Sequence, residues 1–268
     1  MPFLQTADRA DINYVHTPRR AGTPVVFLHA LGLDLSIWQH QFGAFAGERE
    51  LVALDLPGHG LSARPDWTPT FARMARTVID ALDKLQTGPV HLVGISVGAM
   101  IAQTLAINAP HLVSSLTLVA TSCTFSDPVR TILQDRARTV REGGMAAITP
   151  LHLERWFPPA FRQERPDVLD QFSKILIGQD HEYHARMWDM VAGLDTAASL
   201  ESIHCPVMVI AGEQDTSASP EAGRAIVNRI EGASLHVIAG SGHFPQMEYP
   251  LEFNALLRDF LVRADGFN

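Results

Sequence analysis

Gly94-Ile95-Ser96-Val97-Gly98 lies between an apolar run at residues 90–93 and a run with helical character that begins at Ala99. A G-x-S-x-G pattern between a strand and a helix predicts a tight turn that only small neighbouring residues permit. Such a turn exposes the serine hydroxyl above the N-terminus of the helix. Ser96 is therefore the candidate nucleophile.

Two later segments contain the partners that such a serine needs. Asp215 follows the apolar run 207–211, and His243 ends the glycine-rich segment 239–243. A serine hydroxyl becomes a strong nucleophile only when a neighbouring base takes its proton. We therefore expect His243 to act as the base and Asp215 to hold the correct histidine tautomer.

Glu213 is an alternative to Asp215, because it lies only two residues earlier in the chain. A residue that is still at the end of a strand points less freely toward the histidine, so the position favours Asp215. Asp215 and His243 each follow a β-type run. Their loops are thus expected at the carboxyl edge of one sheet, beside Ser96.

Two backbone N–H groups are candidates for an oxyanion hole. One belongs to Val97, the residue after the candidate nucleophile. The other belongs to Leu31, in the loop that follows the apolar run 25–28. His29 in that loop and His59 in a later turn are predicted to hold their loops in place rather than to transfer protons.

Seven β-type runs alternate with helical segments along the chain. Near-continuous apolar strands that alternate with helices predict an α/β fold with a mostly parallel sheet covered on both faces. The first runs, near Phe3 and Asp11, are more polar and predict an antiparallel edge hairpin. The predicted strands are 11–16, 25–29, 51–54, 90–93, 115–120, 207–211 and 234–239, and the predicted helices are 36–45, 70–85, 97–108, 220–230 and 250–262.

The alternation of strands and helices breaks between about residues 125 and 200. This stretch is mostly helical in pattern and contains many aromatic and arginine residues. We interpret residues 125–200 as a helical cap inserted into a core formed by residues 1–124 and 201–268. No internal repeat or low-complexity linker separates the two parts, so the cap is expected to pack on the core.

Composition limits the classes of function. The chain has 268 residues, 46% of them hydrophobic, which suits one sizeable core. Its formal charge of -8, without a basic stripe, argues against a nucleic-acid partner. No apolar stretch is long enough to span a bilayer and no signal-peptide pattern is present, so no membrane partner and a cytoplasmic location are expected. The oligomeric state is not predicted.

No metal or cofactor is predicted. The two cysteines, Cys123 and Cys205, lack the spacing of metal ligands. His181 and His184 are three residues apart in the cap, but no third ligand is indicated. These two histidines, like His152, are therefore expected on a solvated face.

These motifs make the chain similar to the α/β-hydrolase superfamily along nearly its whole length. The similarity lies in the loop at His29, the turn at residues 55–62, the motif around Ser96, and the later Asp215 and His243. The order Ser, Asp, His differs from the orders in chymotrypsin-like and subtilisin-like enzymes. The resemblance implies an α/β-hydrolase fold and hydrolysis of ester-like bonds by acyl transfer.

Three segments, 31–38, 142–146 and 155–161, resemble 3-oxoadipate enol-lactonases. The resemblance implies hydrolysis of a carboxylate-bearing enol-lactone in aromatic catabolism. Arg155 and Trp156 would then place a cation and an aromatic wall over the site. The sequence leaves an alternative open, in which Trp156 packs inside the cap and Arg155 is a solvated surface charge.

Other activities stay open at this stage, because a fold does not determine a function. They are a carbon–carbon bond hydrolase of ring-cleavage products, a general carboxylesterase, a perhydrolase or cofactor-free oxygenase, and a non-catalytic small-molecule receptor. The combination of Ser96, Asp215 and His243 favours an enzyme. A cofactor-independent serine hydrolase of a small ester or lactone is the leading hypothesis.

Overall fold

A single sheet forms the centre of the computed structural model, which describes residues 2–8 and 10–266. Within these residues, eight strands pair in the order β1-β2-β4-β3-β5-β6-β7-β8, where consecutive numbers follow the chain. All neighbouring strands from β4 to β8 are parallel, whereas β2 pairs antiparallel with both β1 and β4. The strands are β1 (Phe3–Gln5), β2 (Asp11–His16), β3 (Val25–Leu28), β4 (Leu51–Leu54), β5 (Val90–Ile95), β6 (Val113–Val119), β7 (Val207–Gly212) and β8 (Ser234–Ile238).

Helices cover this sheet, and most of them begin with a proline in the first turn, where the missing N–H costs no hydrogen bond. Three short 3₁₀ helices lie at Leu35–Trp38, Pro110–Leu112 and Ala197–Ser202. The α-helices are α1 (Gln39–Phe45), α2 (Phe71–Leu85), α3 (Val97–Asn108), α4 (Asp127–Trp156), α5 (Pro159–Glu164), α6 (Pro166–Ile177), α7 (His181–Ala192), α8 (Pro220–Val227), α9 (Pro245–Glu248) and α10 (Pro250–Asp265).

The predicted fold class is confirmed, as is the antiparallel hairpin at the edge of the sheet. The differences lie at the ends of elements, in one divided helix, and in short helices such as Pro110–Leu112 and Pro245–Glu248 that were not predicted. The predicted helix 36–45 is split into a 3₁₀ turn and α1, and the Asp34 side chain caps that turn by accepting from the Ser36 N–H at 2.9 Å. Strand β6 ends one residue early because Ala120 adopts a φ of 45°.

The central strands are buried along their whole length. Every residue of β3, β4, β5 and β7 is buried, which explains their continuous apolar sequences. Helices α3 and α10 contact β6, and α8 contacts β7 and β8. No helix within the described residues is both long and apolar enough to cross a membrane.

Helices α4 to α7 lie between β6 and β7 in the chain, where the cap is predicted. Gly144, with a φ of 68° and a ψ of -172°, interrupts α4, so that the helix consists of two halves joined at a kink. Helix α4 packs against α6 and α7. We call residues 125–200 the cap. The division of the chain into core and cap stays a prediction, with which this arrangement agrees.

The buried carboxylate of Asp55 connects β2, the segment after β3 and the turn after β4. Asp55, which is 2% exposed, follows β4. Its Oδ1 accepts from the Leu35 N–H at 2.8 Å, and its Oδ2 accepts from the Leu61 N–H and from Asn13 Nδ2, both at 2.8 Å. Burial raises the pKa of Asp55, and these hydrogen bonds oppose the shift. Asp55 thus fixes the segment after β3 relative to the turn after β4.

We expect Asp55→Ala to lower the free energy of unfolding by about 2–4 kcal/mol, because one buried donor and two part-buried donors lose their acceptor. Urea-induced unfolding measures this change. The control is Asp135→Ala, since Asp135 is about half exposed and its ion pair with Arg138 is worth at most about 1 kcal/mol. Equal small losses in both variants would contradict a structural role for Asp55.

Candidate active site

Ser96 joins β5 to α3 in a strained conformation. Its φ of 53° and ψ of -119° lie where residues with side chains are rarely found. The Ser96 N–H donates to the Val119 carbonyl oxygen at 2.9 Å, and the Ser96 carbonyl oxygen accepts from Thr121 Oγ1 at 3.1 Å. The end of β6 therefore holds the turn in this conformation.

The glycines on either side of Ser96 allow close approaches of backbone. A Cβ atom on Gly94 would lie 2.6 Å from the backbone nitrogen of Ala99. A Cβ atom on Gly98 would collide with the carbonyl oxygens of Leu28 and His29. Both glycines are thus required by the packing of α3 against β5 and against the loop after β3.

His243 and Asp215 form a buried pair. His243 Nδ1 lies 2.7 Å from Asp215 Oδ2, and the two residues are 3% and 4% exposed. Asp215 Oδ1 accepts from the Ser217 N–H at 2.7 Å and from the Ala218 N–H at 3.0 Å. These bonds orient the carboxylate, and Nδ1 donates to it. His243 Nε2 is then the nitrogen available as a base.

Glu213, the acidic alternative, has a different partner. It is exposed, and its Oε2 accepts from the Gly240 N–H at 2.9 Å. The structure thus brings Asp215 into contact with His243 and leaves Glu213 on the surface, where it holds the turn after β8.

The loop that carries His243 is fixed from two sides. The His243 N–H donates to the Trp156 carbonyl oxygen of the cap at 2.8 Å. From the core, Glu248 accepts from the Gly242 N–H at 2.8 Å and from the Phe244 N–H at 2.9 Å. Burial raises the pKa of Glu248 to about 7 against the effect of these hydrogen bonds. Its sequence signal is only an acidic residue shortly after a glycine-rich loop.

The two candidate oxyanion donors are free of protein acceptors within the described residues. Val97 is the first residue of α3, so its N–H has no partner inside the helix. Leu31 borders the cavity that contains Ser96. Both N–H groups are thus available to a ligand.

His29 and His59 have structural contacts, as expected. His29 Nε2 accepts from the Leu56 N–H at 2.8 Å, and His29 Nδ1 lies 2.8 Å from the Ala30 carbonyl oxygen. His59 Nδ1 lies 3.0 Å from the Pro57 carbonyl oxygen. Burial lowers the pKa of His29 to about 4 and that of His59 to about 3, so both rings are neutral.

Ser96 and His243 line a cavity of about 210 Å³ between the core and the cap. Its walls are mainly apolar, but Arg155 and Arg136 also line it. No motif in the sequence marks Arg136. A larger surface cleft of about 310 Å³ beside Asp34 has neither Ser96 nor His243 in its lining.

Trp156 and Arg155 both lie at this cavity and also support the surrounding structure. Trp156 is 5% exposed, and its ring stacks on His243 with centroids 6.2 Å apart and an angle of 15°. Arg155 is half-buried, and its Nη2 donates to the Thr216 carbonyl oxygen at 2.8 Å. Thr216 adjoins Asp215 in a loop that we call the aspartate loop. Arg155 therefore connects the cap to the aspartate loop.

The expectation that the cap histidines lie on a solvated face is wrong for two of the three. His152 and His184 are each 1% exposed, and only His181 is exposed. His152 stacks on Trp156 with centroids 4.8 Å apart, and His184 Nε2 accepts from Trp188 Nε1 at 3.1 Å. The rings are buried because the packing of the cap helices encloses them in an aromatic cluster. Across the described parts of the chain, no group of three His, Cys, Asp or Glu residues is arranged to hold a metal.

Known proteins share this architecture. Residues 25–256 match the model of the Alpha/beta hydrolase family. The 3-oxoadipate enol-lactonase 2 of Acinetobacter baylyi is 30% identical over 258 residues, 96% of each chain. A hydrolase from Pseudomonas aeruginosa superposes with a TM-score of 0.92 at 28% identity, covering 97% of both chains. The enol-lactonase from Burkholderia xenovorans LB400 gives a TM-score of 0.92 at 25% identity, covering 97% of this chain and 100% of that one. The similarity therefore includes the cap as well as the sheet.

The buried His152 predicts how stability depends on pH. Burial holds its folded-state pKa at about 3, whereas an unfolded histidine has a pKa of about 6.5. At pH values between these two pKa values, the His152 ring binds a proton in the unfolded state but not in the folded state. The stability from the neutral ring is therefore present above about pH 6.5 and is lost as the pH falls.

We expect His152→Phe to remove about 2 kcal/mol of the stability that the wild type loses between pH 7 and pH 5. At pH 7 the free energy of unfolding should barely change, because His152 Nε2 is buried without a hydrogen-bond partner in the described residues. Urea titrations at the two pH values test this. His181→Gln, on the exposed side of the cap, should keep the wild-type pH dependence, and an unchanged slope in His152→Phe would refute the prediction.

Proposed function

The chain belongs to the α/β-hydrolase family, and we propose that it is a serine hydrolase of small esters or lactones with Ser96 as nucleophile, His243 as base and Asp215 as the residue that orients the base. The observation that carries this proposal is the 2.7 Å contact of His243 Nδ1 with Asp215 beside a cavity that also contains Ser96. The strained backbone of Ser96 supports it, because strain of this kind clusters at functional sites.

The reaction would begin when His243 Nε2 takes the proton of Ser96 Oγ as that oxygen attacks the carbonyl carbon. The carbonyl oxygen becomes negatively charged, and the N–H groups of Val97 and Leu31 would stabilise it. Asp215 stabilises the imidazolium that forms. The tetrahedral intermediate then collapses, the bond to the leaving oxygen breaks, and this oxygen takes the proton from His243.

A water molecule completes the cycle. The oxygen of the water attacks the acyl-Ser96 ester while His243 takes a proton from the water, and a second tetrahedral intermediate forms. Its collapse releases the carboxylic acid and returns the proton to Ser96 Oγ. When the substrate is a lactone, the leaving oxygen stays tethered to the acyl group, and an enol formed in this way tautomerises to a ketone.

We further propose a carboxylate-bearing enol-lactone as the substrate, by similarity to the enol-lactonases. A cavity of about 210 Å³ suits a small molecule, Trp156 would form one wall, and Arg155 adds positive charge. A role in aromatic catabolism and a cytoplasmic location stay predictions. Turnover of enol-lactones, vinylogous diketones and simple esters, measured side by side, separates this substrate class from carbon–carbon bond hydrolysis and from general esterase activity.

We expect Ser96→Ala to reduce ester turnover by roughly 10⁶-fold while the fold is retained. A fluorophosphonate probe should label Ser96 in the wild type, as identified by mass spectrometry of peptides. Ser122 lines the same cavity but is not on the strained turn, so Ser122→Ala should still be labelled at Ser96. Wild-type turnover in Ser96→Ala would exclude the proposed nucleophile.

The two acidic residues near His243 make a matched pair for a second prediction. Asp215→Asn should reduce kcat by about 10⁴-fold, because an amide favours the wrong histidine tautomer. Glu213→Gln should keep near wild-type kcat, since Glu213 contacts Gly240 and not His243. Steady-state kinetics on one activated ester compares them, and similar losses in both variants would argue against Asp215 as the orienting residue.

A further inference from the structure

Arg136 differs from the other arginines of helix α4 in its contacts. Four of the five arginines on this helix donate to a carbonyl or carboxylate oxygen. Among the described residues, Arg136 has no hydrogen-bond acceptor and no ion pair. The other four contacts are Arg130 to Leu194 O, Arg138 to Asp135, Arg141 to Asp189 and Arg155 to Thr216 O.

The location of Arg136 makes this absence informative. Its side chain lines the cavity that contains Ser96 and His243. Burial and the neighbouring Arg155 lower the pKa of Arg136 to about 10, which leaves it charged at neutral pH. A partly desolvated cation without a counter-charge is unfavourable, and an anionic ligand in the cavity would compensate for it.

A rigid aromatic platform positions the guanidinium group. The Arg136 Cζ atom lies 4.9 Å from the centroid of the Trp188 ring. Trp188 is held in turn by its hydrogen bond to His184 and by stacking with His152 at 5.5 Å. A guanidinium that stacks on an aromatic ring through its face keeps its in-plane N–H groups for other partners. These N–H groups match the geometry of a carboxylate.

Arg155 lines the same cavity but is already engaged. Its Nη2 donates to the Thr216 carbonyl oxygen, and Thr216 Oγ1 donates back to the Arg155 carbonyl oxygen at 3.3 Å. Arg155 therefore connects the cap to the aspartate loop. Arg155 Nε is buried without a partner, but Nη2 ties the side chain to the loop at Thr216. Of the two arginines, Arg136 is the one whose guanidinium makes no hydrogen bond to the protein within the described residues.

We propose that Arg136 is a specificity-determining residue that binds a carboxylate of the substrate, so that the enzyme selects anionic esters or lactones over neutral ones of the same size. The inference rests on the proposed serine hydrolase function and names the residue that recognises the acyl group. The remaining walls accept a neutral chain equally well, because side chains such as Met100, Leu133 and Val191 are apolar. The enzyme then discriminates against neutral substrates because they leave the Arg136 cation unpaired.

The test uses two esters that differ in one group. Monomethyl adipate and methyl hexanoate have the same leaving group and the same six-carbon acyl chain, but only the first ends in a carboxylate. Arg136→Met should reduce kcat/KM for monomethyl adipate by about ten- to a hundredfold, as for loss of a charge-assisted hydrogen bond, and leave methyl hexanoate within about threefold. Arg136→Lys keeps the charge and should recover part of the loss. A pH-stat follows both reactions.

The chain offers matched control variants. Arg138 lies two residues from Arg136 on the solvent side of the same helix, so Arg138→Met removes an equal charge and should not change the turnover of either ester. Arg155→Met should affect the two esters similarly, because it loosens the aspartate loop. Turnover of methyl hexanoate also reports whether each variant is folded.

A binding measurement separates this inference from the proposed chemistry. In the Ser96→Ala background, adipamic acid should bind about ten- to a hundredfold more weakly when Arg136→Met is added, whereas hexanamide should be unaffected. Calorimetry measures both. If no ester is turned over in a Ser96-dependent manner, the proposed function fails, and this measurement still decides the role of Arg136.

Three outcomes would overturn the proposal. Equal losses on both esters would make Arg136 a residue that supports the packing of Trp188. Loss selective for monomethyl adipate in Arg155→Met, but not in Arg136→Met, would assign the carboxylate to Arg155. Unchanged turnover and unchanged binding of adipamic acid in Arg136→Met would show that this arginine contacts no substrate.

Discussion

The hydrogen bond from the Ser96 N–H to the Val119 carbonyl oxygen is the constraint on which the site depends. It holds Ser96 at a φ of 53°, in a conformation that costs about 1–3 kcal/mol and persists only when the surroundings impose it. The glycines at 94 and 98 let α3 approach β5 and the end of β3 closely. The position of the Ser96 hydroxyl is therefore a consequence of how β5, β6 and α3 pack, and not of a local preference of the loop.

The cap does more than cover this turn. The Trp156 carbonyl oxygen binds the His243 N–H, the Trp156 ring stacks on the His243 ring, and Arg155 binds the residue next to Asp215. A change in the packing of the cap would therefore move His243 and Asp215 together. Access to the cavity and the geometry of the proposed proton transfer are thus coupled through one short segment of α4.

Local patterns predicted the fold and the elements that carry Ser96, Asp215 and His243, because strand periodicity, a G-x-S-x-G turn and chain order are properties of short segments. Other features depend on which helix faces meet in three dimensions. The sequence at His152 is as compatible with a solvated face as with a buried stack. Nothing in the sequence near Arg136 shows that the other arginines of α4 have partners while Arg136 has none among the residues that the structure describes. Asp215 and Glu213 are only two residues apart in the chain, and only the folded structure shows that Asp215 contacts His243 whereas Glu213 contacts Gly240.

The distribution of charge in the cavity connects binding with catalysis. Asp215 is buried with two N–H donors and His243, so its charge is already compensated. Arg136 and Arg155 add two positive charges at a site where His243 would itself become positive in the proposed mechanism. An arriving carboxylate would offset part of this charge when the imidazolium forms. An anionic substrate would then lower the electrostatic cost of its own proton transfer, whereas a neutral substrate of the same shape would leave three cations facing one carboxylate.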